Sequence, residues 1–159
     1  MKSLTVIFAL LFCGIVFSQA EHFETGYIDL LKKDIQAEAK KLVDENMELT
    51  EDQAKVFWPI YDNYNAALLE LSNERLNVIA DYMLDYYDLS DEKAESLVNR
   101  VFEIDQKKLD IQQEYFDKFN AVLPATLVGK FFQIDNYIDL LISLQRSETI
   151  PLIQTGSDE

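Results

Sequence analysis

The chain has 159 residues, 14 lysines and arginines against 29 aspartates and glutamates, and a formal net charge of −15. That balance repels phosphate backbones and anionic headgroups, which argues against nucleic acid and against peripheral membrane attachment. With 4 glycines and 3 prolines in the whole sequence, a turn-rich β architecture is excluded as well, because its turns depend on those residues.

Met1 and Lys2 form a short positive start, Leu4 to Phe17 an unbroken run of apolar or small residues, and Ser18-Gln19-Ala20 puts small residues at −3 and −1. This pattern reads as a secretory signal peptide, residues 1–20, cleaved after Ala20. It predicts a periplasmic or secreted protein with no membrane insertion after cleavage. Cys13 is the only cysteine, and "LLFCG" has Phe where a lipidation motif wants a small residue. The remaining chain, 21–159, then has no disulfide and holds its fold by burial alone, as a single helical domain with a tail over 151–159.

Ile28, Leu31, Ile35, Ala39 and Leu42 keep one face of a first helix that ends near Asn46. Thr50 with Gln53 three residues on reads as a capping box, with Glu51 and Asp52 at the positive end of the helix dipole. The series Phe57, Tyr61, Tyr64, Leu68, Leu71, Arg75, Val78, Tyr82 then alternates steps of four and three, the period of a long helix packed lengthwise on partners. It predicts one helix from Thr50 towards Tyr87. Pro59, which cannot donate to the carbonyl of Lys55, should bend it.

Leu89-Ser90 restarts the pattern, with Ser90 as N-cap and Asp91 and Glu92 in the first turn. The apolar face runs through Leu97, Val101, Ile104, Ile111 and Tyr115, widened by Phe102, Leu109, Phe116 and Phe119, with Lys108 interrupting it. Pro124 is placed at the first position of a fourth helix, whose face Leu127, Phe131, Ile134, Ile138, Leu141 runs to about Arg146. Pro151 ends it. The expected fold is all-α: a bent hairpin of two long antiparallel helices with shorter N- and C-terminal helices, like a four-helix bundle.

Leu49-Thr50-Glu51-Asp52-Gln53-Ala54 is echoed by Leu89-Ser90-Asp91-Glu92-Lys93-Ala94. A Leu-Thr-x-x-Gln start behind a signal peptide, in an acidic helical chain, resembles the LTxxQ group of Gram-negative periplasmic proteins, which includes the Spy and CpxP chaperone and stress-sensor proteins. The stretches "FWPIYDNY", "LPATLVGKFFQIDNYIDLLI" and "TIPLI" are similar to a family of secreted helical proteins from such bacteria. The resemblance implies a helical scaffold that binds other polypeptides.

Phe57, Trp58, Tyr61 and Tyr64 are the densest aromatic group. They read either as a wall for binding another polypeptide or as the core where helices cross, Trp58 being the one most expected at the surface. Asp81, Asp85 and Asp88 share a face and could hold calcium, or be solvated. His22 is the only histidine, so no transition-metal site and no cofactor is expected. With no nucleophile, phosphate-loop or zinc motif in the chain, no enzymatic activity is expected either. The expected function is a non-enzymatic protein-binding factor, a chaperone or envelope-stress accessory protein. A ligand of one envelope receptor and a structural dimer are the alternatives, and a homodimer fits all three.

Overall fold

The structure, a computed structural model, describes residues 37–155, and over these it is all-α with no strand. The signal-peptide reading, His22 and most of the first helix lie outside the described residues. Two compact units divide the chain, Met1–Glu45 and Asn46–Glu159. The first is described only at 37–45, which are helical, and this helix, α1, continues to residue 47. Glu48 follows with φ 51, a left-handed conformation that ends the helix. Its carboxylate accepts from Lys130 Nζ at 3.1 Å.

The second unit holds α2 (Glu51–Asp85), α3 (Asp91–Asn120) and α4 (Ala125–Thr149). At α2 the capping box is complete: Gln53 N–H donates to Thr50 Oγ1 at 3.3 Å, and Thr50 N–H donates to Gln53 Oε1 at 2.9 Å. Two of the orphan donors at the helix start are thereby satisfied. At α3 only half the box can form. Lys93 N–H donates to Ser90 Oγ at 3.3 Å, but the lysine at the third position has no acceptor to return the bond.

At 35 residues, α2 is about 52 Å long at ~1.5 Å per residue. Pro59 is accommodated inside it without interruption. The carbonyl of Pro59 itself takes an extra donor, Asn63 Nδ2, at 2.8 Å. Tyr86 and Tyr87 fall just past the helix end, two residues short of the expected boundary. Pro124 is the N-cap of α4, one position earlier than expected, because its ψ of 138 is extended. Its carbonyl already receives Leu127 and Val128 N–H. Ile150, extended ahead of Pro151, closes α4 as residues before proline do.

The helices α2 and α3 form an antiparallel hairpin, read directly from its ion pairs: Glu74 with Lys107, Arg75 with Asp105, Asp81 with Arg100 and Asp85 with Lys93. Towards its connecting end the hairpin is filled by Leu71, Val78 and Ile104, with Leu97, Val101 and Ile111 packed around them. In turn α4 runs antiparallel to α3, with Gln112 bonded to Asp135, Phe116 near Phe132 and Lys108 paired with Asp139. The lysine that breaks the apolar stripe of α3 is thus the one that reaches α4. Between α2 and α4 no Cα pair comes within 8 Å, so these two meet through side chains alone.

Gly129, in the second turn of α4, is exposed, and a Cβ built there meets nothing within 4 Å. Gly129→Ala therefore adds helix propensity without a clash and should stabilise the fold by about 0.5–1 kcal/mol. The midpoint of urea unfolding checks this, and an unchanged or lower midpoint counts against it.

Candidate interaction surfaces

The aromatic group is core, not surface, for three of its four members. Phe57, Tyr61 and Tyr64 are buried, together with Phe119 from α3 and Phe131 from α4. Phe57 stacks on Phe119 at 5.2 Å between centroids, and Phe131 stands edge-on to Phe57 at 5.3 Å. A wall for a client cannot be built from these side chains, because α3 and α4 already cover them. Trp58 is half-buried, its ring edge-on to Phe57 and Tyr61 at 5.1 and 5.3 Å. It is the most accessible of the four, as its position off the Phe57 face required.

A half-buried polar group lies at the edge of this aromatic core. Tyr64 Oη donates to Asp135 Oδ2 at 2.7 Å, and Gln112 Nε2 donates to the same oxygen at 3.3 Å. One carboxylate on α4 thereby ties α2 and α3 together. Burial pushes the Asp135 carboxyl above its ordinary 3.8, outweighing the two donors that favour its charged form. The Tyr61 hydroxyl is pushed up to about 12, first by burial and then by Asp135 and Asp62. Sequence reading missed this constellation because its members lie on three helices with no local spacing to link them.

Of the three aspartates considered for calcium, Asp81 and Asp85 are engaged by Arg100 and Lys93, each at 2.6 Å. Among the described residues no group of histidine, cysteine or acidic side chains is placed to hold a metal ion. No helix among them is long and apolar enough to cross a membrane.

Apolar side chains are exposed in several places, among them Leu84 and Tyr87 at the connecting end of the hairpin and Leu152 beyond α4, and on two helices they form rows. On α4, Tyr137, Leu140, Leu141 and Leu144 form a row over two turns, with Leu140 and Leu144 each 59% exposed. This row lies on the flank of α4 away from Phe132, Asp135 and Asp139, the side that meets α3. From Phe131 to Gln145 the only charges are Asp135 and Asp139, both engaged across the helix interface. In a chain of charge −15, the outer face of α4 is therefore uncharged and apolar. On α3, the widening residues Phe102, Leu109 and Phe116 are also exposed, Phe102 at 65%. The sequence placed them on a broad buried face, but a hairpin partner and one shorter helix cover only part of the circumference of α3.

No protein-family model matches this sequence, and no curated protein and no solved structure matches it.

Proposed function

We propose that the protein is an exported, non-enzymatic factor that binds other polypeptides, acting as a chaperone or envelope-stress accessory protein. The observation that carries the reading is the exposed, uncharged row Tyr137, Leu140, Leu141, Leu144 on α4. Apolar side chains gathered on one helix flank gain by being covered, roughly 25 cal/mol for each Å² removed from water. An unfolded chain offers apolar segments that can cover them without charge matching. Elsewhere the acid keeps the loaded protein soluble.

Protein purified after expression of the full sequence, added to an unfolding client, should suppress light scattering near equimolar ratio. Leu140→Ser with Leu144→Ser should abolish most of that suppression while leaving the circular dichroism unchanged, since both side chains are exposed. No suppression by the wild type at several-fold excess, or equal suppression by the double variant, removes the reading. The first of those results turns it towards a ligand of a single envelope receptor.

A further inference from the structure

Phe102, Leu109 and Phe116 recur every seven residues along α3, and each is followed immediately by an acid: Glu103, Asp110 and Asp117. All six are exposed. Neighbouring positions on a helix lie about 100° apart, and a seven-residue step returns within about 20° of its start. The six side chains therefore make two parallel rows, one apolar and one acidic, along the same outward side of α3. Between the two rows stand Asn99, Gln106 and Gln113, at the same interval and uncharged.

The fold uses these rows only at two points: Phe116 meets the ring of Phe132 on α4 at 5.8 Å, and Glu103 lies close enough to Lys107 to help hold its proton. All the cations of α3 are committed elsewhere: Lys93, Arg100 and Lys107 to α2, Lys108 to α4, and Lys118 to Glu114. None of Glu103, Asp110 and Asp117 is in an ion pair with a described residue; Asp110 accepts only from Gln106 Nε2, at 2.8 Å. At the end of the track, Phe116 and Asp117 join Gln112, Gln113 and Phe132 of α4 around an open hollow of about 440 Å³. Its lining includes the two rings of Phe116 and Phe132 and the carboxylate of Asp117, which suits the stem and head of an arginine or lysine.

We infer that this face of α3 docks a basic amphipathic helix of a partner protein. A helix with apolar residues at heptad spacing lays them along Phe102, Leu109 and Phe116, and its neighbouring cations fall over the acidic row. Charge selects this occupant. A second copy of the chain brings its own acidic row to the same place and is repelled, and an acidic or uncharged segment leaves the three carboxylates unmatched. The inference deepens the polypeptide-binding reading and rests on it for the kind of partner, but it uses a different face from the α4 row.

The test is a labelled, helix-stabilised peptide of about three heptads with leucine and lysine on the matching rows, titrated with the protein and read by fluorescence anisotropy. Binding is expected at low salt and should weaken by about tenfold or more at high salt. Glu103→Gln, Asp110→Asn and Asp117→Asn together should weaken it by about tenfold at low salt and flatten the salt dependence. Phe102→Ser with Phe116→Ser should weaken it at both salt concentrations. A peptide with glutamate in place of lysine should not bind. Equal affinity for the two peptides, or for wild type and the triple acid variant, overturns the inference. If the lysine peptide binds as expected while client aggregation is not suppressed, the chaperone reading fails and the track stands. Suppression without peptide binding is the reverse.

Discussion

Phe131→Ala is expected to cost about 3–5 kcal/mol of folding stability, the range for deleting a fully buried aromatic side chain. Its ring has no exposed surface and touches the rings of Phe57, Tyr61, Tyr64, Phe119 and Phe132, with centroids 4.8 to 6.0 Å away. Helices α2 and α4 have no close backbone approach through which the gap could collapse. The lining rings are also held by one another, so the cavity term should sit at the upper end of its range. Urea unfolding followed by circular dichroism measures this. Phe132→Ala, at a half-buried position beside it, should cost distinctly less. A loss below about 1 kcal/mol for Phe131→Ala would mean that α4 is not seated on the aromatic core as described.

Tyr64→Phe should cost about 1–3 kcal/mol at neutral pH, the range for deleting the shorter of the two hydrogen bonds to a half-buried carboxylate, with Gln112 left as its one donor. The ring still packs in the variant, so the loss is that of the hydroxyl, and it should depend on pH. The Asp135 carboxyl is held above its ordinary 3.8 by burial, so the folded chain binds its proton more tightly than the unfolded chain. Its contribution to stability is then fully present below about 3.8 and is lost as pH rises through the higher folded value. Removing the Tyr64 donor raises that folded value further and deepens the loss, but only where Asp135 is ionised. Unfolding of Tyr64→Phe and wild type should therefore differ most at neutral pH and least at acid pH. Asp135→Asn, which cannot ionise, should flatten the pH dependence of stability relative to wild type and lose nothing at neutral pH beyond the cost of rearranged hydrogen bonds. An equal loss for Tyr64→Phe at both ends of the pH range would place the cost in packing instead.

The face of α3 shows where sequence periodicity stops. Ile104, Tyr115 and Phe119 are buried and Phe102, Leu109 and Phe116 are exposed, yet all six read as one broad apolar face. A helix records which of its sides are apolar. It does not record how many neighbours will come to cover them. Lys108 is the converse case: it looked like a flaw in the stripe, and the antiparallel approach of α4 supplies Asp139 to meet it. Among the aromatic residues near Pro59, the sequence left core and binding surface open. The arrival of Phe119 and Phe131 on Phe57 and Tyr64 decided for core.

The elements themselves were determined locally. Thr50 with Gln53, Ser90 and Pro124 set the helix starts to within one residue, because capping bonds and proline sterics act between residues a few positions apart, whereas α2 stops at Asp85 short of Tyr87 and α4 runs past Arg146 to Thr149, just ahead of Pro151. The alternating steps of four and three marked the face of α2 that became buried, from Phe57 to Tyr82, since that spacing follows from the helix itself. Only the tertiary structure decided the joining of Tyr64, Gln112 and Asp135, the engagement of Asp81 and Asp85 by α3 cations, and which apolar rows stay exposed. Those outcomes depend on the order and separation in which whole helices pack, and no interaction between residues near in sequence encodes that order.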